Sequence, residues 1–83
     1  MEEEIGVVTH YYDKLAVAVV KLTAKSLNVG QTIHIQGHST DFVQKIASLQ
    51  IEHQSVENVK TNDEFGLKVD QKARDGDKVY LVE

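Results

Sequence analysis

Four histidines, His10, His34, His38 and His53, are the side chains of this chain best suited to metal ligation or proton transfer. His34 and His38 have the spacing that would put two imidazoles on one face of a helix. The segment between them alternates like a strand, however, and Gly37 interrupts it. A structural zinc site needs four ligands at paired spacings, and a chain with no Cys does not offer them in this pattern. The histidines therefore read as surface or half-buried side chains. Nucleophilic catalysis would need a Ser or Cys held against a His with an orienting group behind it. Ser39 adjoins His38 and Ser55 follows His53 by two, but adjacent residues of an extended chain point apart. Nothing marks an oxyanion hole, so no enzymatic activity is expected. None of the five glycines is followed by Lys, which excludes a phosphate-binding loop of the G-x-x-x-x-G-K-[ST] kind. No cofactor and no bound nucleotide are implied.

Binding remains. The loop Gly37-His38-Ser39-Thr40-Asp41-Phe42 joins two predicted strands, carries a polar set and ends in an aromatic ring. Binding residues concentrate in such loops, although Ser, Thr and Asp also build turns that merely close a fold. Tyr11 and Tyr12 beside Lys14 could stack on single-stranded RNA bases. Alternation predicts instead that one ring enters the core and the other caps a hairpin. Lys68, Lys72, Arg74 and Lys78 form a weak basic cluster, which reads first as a solvated face.

These residues need strands to position them. Residues 5–12 are β-branched and aromatic and read as a strand, with Asp13 as turn former. Residues 15–22, LAVAVVKL, read as a strand buried on both faces. Gly30 marks a turn that needs positive φ. Thr32 to Gln36 alternate, with Ile33 and Ile35 inward. Residues 42–53 fit neither period fully, and a single long strand with a bulge near Lys45–Ile46 is predicted. Phe65, Leu67 and Val69 alternate, residues 74–77 turn, and Lys78 to Val82 make the last strand. About six strands at this spacing predict an all-β, antiparallel barrel or sandwich.

Composition bounds the rest. Eighty-three residues make one domain spanning 1–83, with a thin core and an acidic end over residues 1–4 that is expected to fray. No stretch approaches the roughly 20 apolar residues of a membrane span. The acidic start, MEEEIG, is unlike a signal peptide, so a cytoplasmic location is expected. The net charge of −4 argues against free nucleic-acid binding, which favours basic domains.

An ordered set of pieces carries a resemblance. Val29-Gly30 with Ile33, Ile35 and Gly37, then Ala47–Ile51, Phe65-Gly66-Leu67, and Arg74 with Gly76, resemble the second domain of translational GTPases of the elongation factor Tu type. That likeness implies a six-stranded antiparallel β-barrel without its GTPase domain. Asn62-Asp63 stands where that family has Gly-Asp, and Asn tolerates the left-handed turn. Gln50 falls where an acidic residue of the family packs on the terminal adenosine of aminoacyl-tRNA. The resemblance implies docking on tRNA or the ribosome through His38, Asp41, Phe42, Gln50 and the Lys68, Lys72 and Arg74 face. A similar barrel also ends some peptidases of the collagenase-like family. The alternative is therefore a protein-interaction adaptor for a separately encoded enzyme, such as a collagenase-like peptidase or an RNA-modifying enzyme, which the acidic charge favours.

Overall fold

Alternating β-branched and polar residues dictate a structure of strands, and the computed structural model, which describes residues 2–82, contains no helix among them. In chain order the strands are β1 (Glu2–Tyr12), β2 (Val17–Leu22), β3 (Leu27–Asn28), β4 (Thr32–Gln36), β5 (Asp41–Lys45), β6 (Leu49–Ile51), β7 (Gln54–Val56), β8 (Asn58–Val59), β9 (Glu64–Lys68) and β10 (Lys78–Val82). Eight form one antiparallel sheet in the order β5-β4-β10-β1-β2-β9-β6-β7, and β3 pairs with β8 separately. The all-β antiparallel expectation holds. The count of six strands does not, because short pieces flank each irregularity.

One face of the sheet is apolar and the chain must curl to cover it. Ile5, Ala18, Val20, Leu22, Ile33, Ile35, Leu49, Phe65, Leu67 and Val79 are almost wholly shielded from water. Fully burying such an aliphatic or aromatic side chain contributes about 1.5–3 kcal/mol. Ile33 and Ile35 point inward as predicted, as do Phe65, Leu67 and Val69. Strand β2 departs from expectation. Only Ala18, Val20 and Leu22 are buried, whereas Val17 and Val19 are half-exposed on the opposite face.

Two bulges let β1 serve two partners. Its register shifts between Glu4 and Gly6 against β10 and between Val8 and His10 against β2. Each bulge bends the strand and increases its twist. Between them Val8 stays opposite Val20 of β2, and on its other side its backbone pairs with the 76–77 turn, donating to the Asp77 carbonyl at 2.8 Å and accepting from Gly76 at 2.7 Å. Glu2, Glu3 and Glu4 lie opposite Val82, Leu81 and Tyr80. The acidic end is thus a paired strand over residues 2–4 and not a frayed one; Met1 lies outside the described residues.

The predicted long strand over 42–53 is broken. Ile46 turns away from β5, donates its N–H to the Gln31 carbonyl at 2.8 Å and accepts from Gly30 at 2.9 Å. The chain then crosses to the far side of the sheet as β6. The out-of-phase apolar residues reflect this crossing and not a bulge.

Gln44 ties the curled sheet together. It is buried on β5, the first strand of the sheet. Its Nε2 donates to the Lys68 carbonyl at 3.0 Å, and its Oε1 accepts from the Asp70 amide at 2.8 Å. One side-chain amide thereby replaces a rung of ladder between β5 and the chain leaving β9. Gln44→Ala should leave a carbonyl and an amide unpartnered and cost about 2–3 kcal/mol in urea unfolding. Substitution of the exposed neighbour Lys45 by Ala should change stability by no more than roughly 0.5 kcal/mol.

Candidate functional site

The outward row across β2, β9, β6 and β7 reads Val19, Gly66, Gln50, Ser55 in register. Glycine at its centre leaves a side-chain-sized gap on an otherwise pleated surface. A Cβ at Gly66 would lie 3.3 Å from Val17 Cγ1 and 3.9 Å from Gln50 Cβ, so the gap is bounded by these two side chains. Two adjoining hollows of about 190 and 530 Å³ share Leu15, Val17, Gln50 and Gly66. Together they form a trough. Tyr12 and Leu15 make one wall, and Leu15 is 63% exposed at the tip of the first hairpin. Ile51 lines the other side. The Tyr12 ring is steadied by an edge contact with His10, with centroids 4.4 Å apart.

Both turns beside this trough hold residues in the left-handed region. Ala16 has φ of 55°, and Glu52 and His53 have 51° and 66°. The pairing of Ile51 with Gln54 leaves Glu52 and His53 as a two-residue hairpin loop. A loop with both φ positive is the type I′ turn, for which Asn-Gly is the usual sequence. Glu and His cost about 1–2 kcal/mol per residue in that conformation.

A second cluster lies on the outer face of β4. His34 Nδ1–H donates to Glu2 Oε1 at 2.7 Å, and Nε2–H donates to Asp41 Oδ1 at 2.5 Å. With both ring nitrogens protonated, the imidazolium satisfies both carboxylates and ties β1 to β5. The hydrogen bond to Asp41 first, and that to Glu2 second, raise the His34 pKa above 6.5. Tyr80 lies tilted beside the ring, with centroids 6.0 Å apart.

The residues singled out from sequence are distributed over different places. His38, Asp41, Phe42 and Lys72 line one shallow hollow of about 420 Å³. Phe42 is only 6% exposed and belongs to the core, so it offers no ring for stacking. Asp41 is occupied by His34. Gln50 and Lys68 line the trough. Arg74 lies in the last turn, where its N–H donates to Asp77 Oδ2 at 2.8 Å. Lys68 and Lys72 therefore serve different hollows. Tyr11 packs against the core while Tyr12 is exposed, as alternation predicts. Among the described residues no group of three or more His, Cys, Asp or Glu is placed to hold a metal ion. Sequence reasoning missed Val17, Val19, Gly66 and the two strained turns. A glycine at an outward position between two inward hydrophobics was the available signal.

Comparison with known proteins corrects the family resemblance. No family model matches the chain. An uncharacterized protease of Methanocaldococcus jannaschii is 40% identical over 80 residues, 95% of this chain and 19% of that protein. A collagenase of Porphyromonas gingivalis is 30% identical over 77 residues, 92% of this chain and 21% of that protein. The chain thus spans about a fifth of the length of the relatives it matches. Two crystal structures of the C-terminal domain of a Geobacillus thermoleovorans protein assigned to the U32 peptidases share the fold. One has a TM-score of 0.89 at 17% identity, covering 98% of this chain and 93% of that one. The other, a selenomethionine variant, has 0.86 at 18%, covering 93% and 96%. The relatives are named as proteases and collagenases, not elongation factors. The translation-factor reading, with its docking on tRNA or the ribosome, is overturned by these matches. The glycine turns and alternating strands behind it are devices of antiparallel sheets in general. No helix among the described residues is long and apolar enough to cross a membrane.

Two outcomes test this geometry. Replacing Glu52→Asn and His53→Gly together should raise stability by about 1–2 kcal/mol in urea unfolding by relieving the left-handed strain. The His34 contacts should also make stability depend on pH. A pKa raised in the fold gives stabilisation that is complete below the unfolded value near 6.5 and is lost as pH rises through the folded value. The urea midpoint should therefore fall as pH rises above about 6.5, and His34→Gln should reduce that fall.

Proposed function

We propose that this chain is a non-catalytic docking module whose outer trough seats part of a collagenase-like peptidase. The observation that carries the reading is the apolar trough over Gly66, walled by exposed Tyr12 and Leu15. Large side chains exposed in one place on a small domain mark a contact surface more often than scattered ones do. The relatives supply the partner class, because the matched stretch accounts for only a fifth of proteins named as proteases.

Several features support a binding role over a chemical one. The residues common to both hollows are Leu15, Val17, Gln50 and Gly66, and Ser48 lines a different hollow from Glu52, His53 and Glu64, so the trough does not set a serine against a base. His34, the best-placed base, has both ring nitrogens committed to carboxylates. We read the sheet clasped by Gln44 as a small barrel, whose interior at this size is filled by side chains and leaves binding to its outer surface.

The test is sedimentation of this chain with the part of the Methanocaldococcus jannaschii protease that lies outside the matched stretch. A one-to-one complex should form, and Gly66→Leu should weaken it by about tenfold or more, as expected for filling a central contact. Absence of a complex, or a complex indifferent to Gly66→Leu, would contradict the reading.

A further inference from the structure

The two ends of the trough differ in charge. Lys68 and Ser48 line one end, and neither lines the other hollow. Glu52 and Glu64 line the opposite end together with His53. This polarity follows from the register. Val17 faces Lys68 and Lys21 faces Glu64 across β2 and β9, so Lys68 and Glu64 sit at opposite ends of β9 on its outward face. Thr9 Oγ1 donates to Glu64 Oε2 at 3.1 Å and helps to fix that carboxylate. Lys21, opposite Glu64, does not line the trough.

Four residue steps along the strand separate Lys68 from Glu64, a span of roughly 13 Å at about 3.3 Å per residue. Gly66 lies midway between them. An extended segment laid along this strand presents residues i, i+2 and i+4 on one face at the same spacing. We propose that the trough recognises an extended protein segment carrying an acidic residue, an apolar residue two positions on, and a basic residue two further on. The acidic side chain meets Lys68, the apolar one fills the gap over Gly66, and the basic one meets Glu52 and Glu64. Leu15, Val17 and Tyr12 cover the apolar side chain. This rests on the docking reading and names the chemistry of the partner segment. Exposed ion pairs add little affinity individually, so their contribution is to orientation and to choice of segment.

The test uses four blocked pentapeptides followed by backbone-amide NMR of the full chain. One is Asp-Thr-Leu-Thr-Lys; the others replace Leu by Ser, Asp by Lys, or Lys by Asp. The first should shift the amides of residues 15–19, 50–53 and 64–68 and bind about fivefold more tightly than the two charge-altered peptides. That preference should vanish at roughly 1 M salt, where the screening length falls to about 3 Å. The Ser peptide should not bind. Glu52→Lys and Lys68→Glu, both at exposed positions, keep the fold and should each remove the preference. Equal binding of all three Leu peptides in the trough would overturn the charge assignment while leaving the docking reading intact. Failure of every peptide to bind would overturn the assignment too, and the docking reading would then answer to the sedimentation result alone.

Discussion

A single sheet with one apolar face and few residues to spare has to cover that face with itself. This constraint governs the molecule. It explains why β1 is bulged twice, since a flat strand could not pair with β10 at one end and β2 at the other while bending between them. It also explains Gln44. Curling brings β5 towards the chain leaving β9 without backbone pairing between them, and buried polar groups there need partners. The Gln44 amide supplies one donor and one acceptor at that gap.

Curling also sets the character of the outer face. Inward positions are filled by large aliphatic side chains, so specificity has to be expressed outside. Most outward positions carry polar or charged residues. Val29 and Val43 are exposed singly, whereas Tyr12, Leu15, Val17, Val19 and Ile51 are grouped with Gln50 over Gly66. The chain tolerates strain at Ala16, Glu52 and His53 in the turns that border this stretch. Backbone strain of this kind concentrates at functional sites, and here it adjoins the trough proposed to seat a partner. The His34 cluster has a different part. It staples the first strand to the β4–β5 hairpin through two carboxylates.

Much of the fold was legible in the residues. Ile33 and Ile35, Phe65 and Leu67, and Val79 and Leu81 alternate with polar neighbours and point inward as that pattern requires. Gly30, Asn62 and Gly76 take positive φ where turn chemistry calls for it. What escaped reading was non-local. Gln44 looks like an outward residue until the curl brings Lys68 and Asp70 to it. Ile46 looks like strand until its backbone is found bonded to Gly30 and Gln31. Ala16, Glu52 and His53 carry no sequence mark of left-handed backbone, because the surrounding ladder imposes it. Of the candidate site residues, Gln50 and Lys68 line the trough, whereas Phe42 is a core residue and Asp41 is engaged by His34. The resemblance to a translation factor rested on turns and alternation, which many antiparallel sheets share.

The account stands on the claim that the outward face of β2, β9 and β6 is the docking surface. Hydrogen–deuterium exchange on this chain, with and without the peptidase portion of the Methanocaldococcus jannaschii relative, measures that claim most directly. Slower exchange confined to residues 15–19, 50–53 and 64–68 is the predicted result. Protection of residues 36–42 and 71–72 instead, around the hollow lined by His38 and Lys72, would place the contact elsewhere and contradict it.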